Sequence, residues 1–139
     1  MAKRSKAREV VLQVLYQDDV NSGGELPDRE EFLRLRLHDD KTLVDFAKSL
    51  INGVRRNREE LDALLTKTAD NWSLERMAAT DRNVLRMGTY EILHTQTPGA
   101  VVINEAVELA RRFGSAQSAQ FVNGILDKFV AGHEKKADG

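Results

Sequence analysis

Apolar residues recur at a helical spacing along almost the whole chain, and this pattern limits its possible folds more than any other feature. The first such segment runs from about Ser5 to Val20. Its apolar side chains share one stripe of a helix, since successive residues turn by about 100°: Ala7, Val10, Val11, Val14 and Leu15. Alternating patterns typical of strands are weak. The sequence therefore predicts an all-α fold.

Breakers and capping residues divide the chain into about seven helices. Helices are predicted to begin after Leu26-Pro27-Asp28, near Asp39 or Asp40, at Asn57 and at Thr80, and to run over 101–113 and 116–131. With 139 residues the chain has room for one domain built of two small packed bundles. We expect sub-bundles of about 1–72 and 73–132, a seam within 66–80, and a frayed tail over 133–139.

Composition excludes several classes of protein. Cysteine is absent, which removes disulfides, thiolate metal sites and thiol nucleophiles and fits a cytoplasmic protein. No apolar run approaches the roughly 20 residues that span a bilayer, and no signal-peptide pattern opens the chain, so we expect no membrane association. The formal net charge is −1, so any contact with nucleic acid must come from a local patch.

A local patch of this kind lies at the start of the first helix. Lys3, Arg4, Lys6 and Arg8 are opposed there only by Glu9. Tethered cations at a helix start are typical of a site for a polyanion, although a charge run alone also fits a solvated face. If four cations contact phosphates of single-stranded RNA, the salt slope is about −2.8, and binding weakens roughly 50-fold between 50 and 200 mM salt.

Two further features predict contacts beyond a simple core. At a helical spacing, Tyr16 and its neighbour Leu12 point away from the apolar stripe, so they are expected to meet a partner surface or another part of this chain. Gly124 interrupts the last helix, where glycine costs about 1 kcal/mol relative to alanine. We expect close helix packing to explain this glycine, with a ligand contact as the second explanation.

Catalytic patterns are missing, so we expect no enzyme, metal site or cofactor. His38, His94 and His133 do not follow a metal-ligand spacing. Gly23-Gly24 lacks the Lys-Ser/Thr of a phosphate-binding loop. No serine has the context of a nucleophile elbow.

Four blocks spread over nearly the full length carry a family pattern, which is weakest over 20–70. They are Arg4-x-x-Ala7-Arg8-Glu9-x-x-x-Gln13-x-Leu15-Tyr16, then Asp81 to Arg86 followed by Tyr90-Glu91, then Val102 to Ala110, and finally Phe121 to Lys128. Together they resemble the bacterial transcription antitermination factors of the NusB family.

This resemblance implies an all-helical fold of two small bundles and a non-catalytic role. It implies binding to the single-stranded boxA element of nascent RNA, jointly with the ribosomal small-subunit protein called NusE. The assembly would help RNA polymerase read through terminators, notably in ribosomal RNA operons.

The resemblance also assigns roles to individual residues. Arg4 and Arg8 match RNA-binding arginines, with Lys3 and Lys6 as neighbours, and Gln117 and Phe121 match RNA-facing positions; Gln117 replaces an acid found in some relatives. The positions that would face NusE are Tyr16, Glu75 and Asp81.

Three alternatives accompany this interpretation. The N-terminal domain of an RNA-cytosine methyltransferase shares the helical fold, but a chain of 139 residues without cysteine does not fit that enzyme. A protein-interaction adaptor without intrinsic RNA binding would also expose Tyr16, and a homodimer could bury the basic helix against its copy.

Overall fold

The computed structural model describes the backbone of residues 2–21, 29–70 and 72–138, and side chains within 4–133 of those ranges. In these residues there are seven α-helices and no strand, which confirms the all-α prediction. The helices are α1 (Ala2–Val20), α2 (Glu30–Arg36), α3 (Lys41–Arg56), α4 (Arg58–Thr68), α5 (Ala79–His94), α6 (Gly99–Phe113) and α7 (Ser118–Asp138). A single 3-10 turn, Leu74–Arg76, precedes α5. The predicted entry to α2 at Leu26-Pro27-Asp28 lies outside the described residues.

The chain divides into two compact units, Met1–Arg56 and Asn57–Gly139. The division comes earlier than the predicted boundary near residue 72, because α4 packs on α5 and α7 and so belongs to the second unit. The backbone of α7 continues to Asp138, beyond the predicted end of the second bundle. That the chain behaves as one folded domain stays a prediction.

The first unit is built on the pairing of α1 with α3, against which α2 also packs. Val10 and Val14 of α1 and Ala47 of α3 are fully buried. A two-pronged ion pair reinforces the helix pair: Arg55 Nε and Nη2 donate to Asp18 Oδ2 and Oδ1 at 2.7 and 2.8 Å. Planar, bidentate geometry of this kind fixes direction as well as distance.

A tight turn joins α2 to α3 through two residues with left-handed backbone, His38 at φ 55° and Asp39 at φ 57°. Histidine and aspartate are among the residues that tolerate this conformation. The Asp39 amide donates to the Arg34 carbonyl at 2.7 Å, and the Asp39 carboxylate accepts from Arg34 Nε at 2.9 Å. These bonds hold the turn closed.

The second unit is built around α5, which α4, α6 and α7 contact. A helix surrounded in this way is buried on nearly every side, polar positions included. Arg86 donates through Nε and Nη2 to Asp62 of α4 at 2.7 and 2.9 Å, and through Nη1 to Asn83 at 3.2 Å. This network offsets the cost of burying a charge by satisfying its donors.

One glycine in this unit marks a close helix contact. A Cβ added at Gly88 of α5 would lie 3.0 Å from Leu126 Cδ1 of α7, and the Leu126 side chain is fully buried. The missing side chain therefore lets α5 and α7 approach each other. Close helix packing was expected at Gly124, but it occurs at Gly88.

Candidate nucleic-acid interface

The basic start of α1 is held by an aromatic ring of α3. The guanidinium carbons of Arg4 and Arg8 lie 4.7 and 5.2 Å from the centroid of the Phe46 ring. The i,i+4 spacing places both arginines on the same side of the helix. Contacts between an arginine and a ring contribute about 0.5–1 kcal/mol at exposed sites. Phe46 therefore orients the cations without neutralising their charge.

The two arginines differ in exposure. Arg4 is exposed, whereas Arg8 retains only 4% of its accessible surface. Arg8 is therefore less accessible to a phosphate than Arg4, because Arg8 lies one turn further into the packed helix pair, and its RNA contact stays a prediction. Lys6 is exposed, with its Nζ 3.6 Å from Glu9 Oε1. The side chain of Lys3 lies outside the described residues.

Further along α1, Tyr16 is 42% exposed, as the helical spacing predicts, whereas Leu12 is 5% exposed. Of the two alternatives for Leu12, its burial fits coverage by another part of this chain. α1 buries Val11, Leu12 and Leu15 together, so its buried surface is wider than a single stripe. Tyr16 alone of the predicted outward pair offers an aromatic surface to a partner.

Two acidic residues matched to the partner surface lie around the start of α5. Glu75 is exposed on the 3-10 turn, and Arg82 Nη1 holds this turn by donating to the Leu74 and Met77 carbonyls at 2.8 and 3.0 Å. Asp81, in the first turn of α5, is 9% exposed, and its buried Oδ1 accepts no hydrogen bond. Burial without a hydrogen-bond partner is costly for an acceptor, and because this oxygen is buried, a donor from outside would reach it only after the side chain moved.

The second unit also presents two aromatic rings at its surface. Phe121 of α7 is partly exposed, and the Trp72 ring meets it edge to face, with centroids 5.1 Å apart and planes inclined by 72°. Trp72 itself is 57% exposed. Gln117, one turn earlier, is exposed, and its backbone carbonyl accepts a hydrogen bond from the Phe121 amide at 3.0 Å.

The sequence did not identify Trp72 as a functional residue, because periodicity gives no role to a side chain between helices. The available signal was a large aromatic residue, the sole tryptophan of the chain, beside polar residues in a predicted connection. Gly124, on the exposed side of α7, is surrounded by open space: a Cβ added there would meet no atom within 4 Å. The prediction of close helix packing at Gly124 is therefore wrong.

Within the described part of the chain, no cluster of histidine, aspartate and glutamate side chains could hold a metal ion. His94 Nε2 lies 3.3 Å from Glu60 Oε1, and the His133 ring stacks on Phe129 with centroids 6.2 Å apart. In the same described ranges, no helix is both long and apolar enough to cross a membrane.

Comparison with known proteins gives a consistent result. The sequence profile of the NusB family matches residues 5–131. The transcription antitermination protein NusB of Anaeromyxobacter dehalogenans is 42% identical over 131 residues, covering 94% of this chain and 92% of the relative. The NusB protein of Desulfitobacterium hafniense is 43% identical over 138 residues, covering 96% of this chain and 91% of that protein.

Solved structures agree with the sequence relatives. T. maritima NusB superposes with a TM-score of 0.80 at 37% identity, covering 91% of this chain and 89% of that one. Antitermination factor NusB, solved in complex with NusE and double-stranded RNA, superposes with a TM-score of 0.74 at 25% identity, covering 93% and 96% of the two chains.

Proposed function

This chain belongs to the NusB family, and from that premise we propose that it acts as a transcription antitermination factor by binding boxA RNA jointly with NusE. A relative of the same fold was solved in complex with NusE and double-stranded RNA. The observation that supports RNA binding in this chain is the exposed Arg4 guanidinium, held over Phe46 at the start of α1. The role is one of binding without catalysis, and its place is the cytoplasm, where nascent transcripts form.

The RNA-contact residues have two kinds of task. Lys3, Arg4 and Lys6 contact phosphates, and Arg8 supports Arg4 from its buried position against the same ring. Phosphate contacts position the RNA but do not read its sequence. Base contacts fall to Gln117 and Phe121, which combine an amide with an aromatic ring.

The NusE contacts use different residues. Tyr16 is exposed well beyond the basic start of α1, and Glu75 is exposed on the 3-10 turn before α5. Asp81, in the first turn of α5, is the third contact, and its buried Oδ1 would have to turn outward to meet a donor of the partner. Separate residue sets for RNA and protein allow the two ligands to bind together.

So few phosphate contacts do not give tight binding, and we therefore expect NusE to strengthen RNA binding. The test is a titration of labelled boxA RNA with this protein, with and without NusE, beside a scrambled RNA and a duplex of equal length. A tighter complex with boxA in the presence of NusE supports the proposal. Equal affinity with and without NusE contradicts joint binding.

The same titration separates the alternative functions. Binding of NusE without measurable affinity for any RNA would identify a protein-interaction adaptor, which the exposure of Tyr16 also fits. Sedimentation over a range of protein concentrations tests the homodimer, since self-association by the basic helix would compete with RNA.

A further inference from the structure

We propose that Trp72 forms, with Phe121, a stacking surface for an unpaired base of the RNA, on a face of α7 that Gly124 leaves open and Lys128 borders. This inference rests on the proposed function, because it names a further contact of the RNA. It adds a residue outside the four family blocks and gives a reason for a glycine that helix packing does not explain.

The geometry of the aromatic pair leaves a ring face free. Trp72 meets Phe121 edge to face, so the two rings do not cover each other as stacked rings would. The Trp72 amide donates to the Ala69 carbonyl at 2.8 Å, so the backbone of Trp72 is tied to the end of α4. With 57% of its surface exposed, Trp72 offers a large planar area to a ligand.

Gly124 widens the space beside this pair. On a helix that turns by about 100° per residue, Phe121, Gly124 and Lys128 fall within about 60° of one another. A Cβ at Gly124 would contact nothing within 4 Å, and the residue is exposed. The helix backbone is thus accessible between an aromatic ring and a cation, where a nucleotide can approach closely.

Lys128 supplies the charge that selects a polyanion for this face. Its Nζ lies 2.7 Å from Asp70 Oδ2, and both side chains are more than half exposed, at 56% and 66%. Exposed ion pairs contribute about 0–1 kcal/mol, so a phosphate exchanges with the Asp70 carboxylate at little cost. An aromatic ring on which a base can stack and a cation near the nucleic-acid backbone are features of single-stranded nucleic-acid sites, and this face has both.

The single tryptophan allows a direct test on the unmodified chain. Stacking of a base on Trp72 should quench the tryptophan fluorescence. The midpoint of this quenching should equal the midpoint of binding that a dye attached to single-stranded boxA RNA reports. The titration is made without NusE at about 50 mM salt, where phosphate contacts are strong. In a series of RNAs, each with one nucleotide replaced by an abasic one, a single replacement should abolish the quenching. The phosphates are present in every RNA of the series, so the loss would report the missing base.

Variants give the second arm of the test. Trp72→Ala should weaken RNA binding by about tenfold or more, as is typical of losing a stacked base, and Trp72→Phe should retain most of the affinity. Leu35→Ala is the matched control, because Leu35 is an exposed apolar residue of the other unit, at 75% exposure. Thermal unfolding of each variant verifies that the fold is retained.

The outcomes separate this inference from the proposed function. RNA that binds without quenching Trp72, with unchanged affinity for Trp72→Ala, overturns the inference and leaves the proposed function standing. Loss of NusE binding alone in Trp72→Ala also overturns it, since the surface would then bind protein. If no RNA binds at all, the proposed function fails and the inference fails with it. If Trp72→Ala unfolds, the abasic series still decides.

Discussion

At the scale of single residues, two arginines of the same motif have different surroundings. Arg4 and Arg8 contact the same Phe46 ring, yet Arg4 is exposed and Arg8 is 4% exposed. An exposed cation can bind a phosphate without losing other contacts, whereas a buried one also supports the fold. Sequence spacing alone gives the two residues the same role.

This difference predicts distinct effects of two alanine substitutions. Arg4→Ala should weaken boxA binding several-fold and reduce the salt slope by about 0.7, with the free energy of unfolding changed by no more than about 0.5 kcal/mol. Arg8→Ala should lower the free energy of unfolding by about 1–3 kcal/mol, because it removes a buried, partnered side chain. Equilibrium urea unfolding and RNA titration measure the two effects. Equal destabilisation by both substitutions would contradict the assignment.

At the scale of helices, Gly88 of α5 and Gly124 of α7 illustrate what a helical pattern leaves open. A Cβ added at Gly88 would lie 3.0 Å from Leu126 Cδ1, whereas a Cβ added at Gly124 would meet no atom within 4 Å. Both glycines lie inside predicted helices, where glycine has a lower helix propensity than alanine. Only the neighbouring helix distinguishes a packing glycine from an exposed one.

Alanine substitutions at these glycines should change stability in opposite directions. Gly124→Ala should raise the free energy of unfolding by about 0.5–1 kcal/mol, because alanine restricts the unfolded chain and nothing obstructs its methyl group. Gly88→Ala should lower it by about 1 kcal/mol, since the clash with buried Leu126 outweighs the gain in propensity. Thermal unfolding of the two variants beside the parent protein measures both. A stabilised Gly88→Ala would show that α7 yields at this contact.

At the scale of the whole molecule, the protein has almost no net charge, but a cluster of cations lies at the start of α1. The formal net charge is −1, so long-range attraction of RNA is weak and binding depends on local contacts. If Arg8, at 4% exposure, contacts no phosphate, the proposed phosphate contacts of α1 fall from four to three, namely Lys3, Arg4 and Lys6.

The smaller number of contacts predicts a shallower salt dependence. Three phosphate contacts give a slope of about −2.1, so affinity for single-stranded boxA RNA should fall roughly 18-fold between 50 and 200 mM salt. If Lys128 contacts a fourth phosphate, the slope of the parent protein should be about −2.8. The slope of Lys128→Ala should then be about −2.1. A binding series over several salt concentrations distinguishes the two slopes. A slope near zero would contradict binding through phosphates.

The helical content, the order of the helices and the family were all predictable from the amino-acid sequence. These follow from apolar period, from helix breakers such as Thr97-Pro98-Gly99 and from four short blocks, all of which are local properties of the chain. The sequence also located Tyr16 on an exposed part of α1, because a helical wheel separates an apolar stripe from the opposite side.

Which outward-pointing residues remain exposed depends on the packing of the helices and cannot be read from local patterns. The burial of Arg8 and Leu12, the tight contact at Gly88 and the pairing of Trp72 with Phe121 all depend on which element packs against which. A helical period states which side of a helix is apolar, but not how much of its circumference its neighbours cover. Contacts between residues far apart in sequence, such as that of Trp72 with Phe121, have no local pattern to predict them.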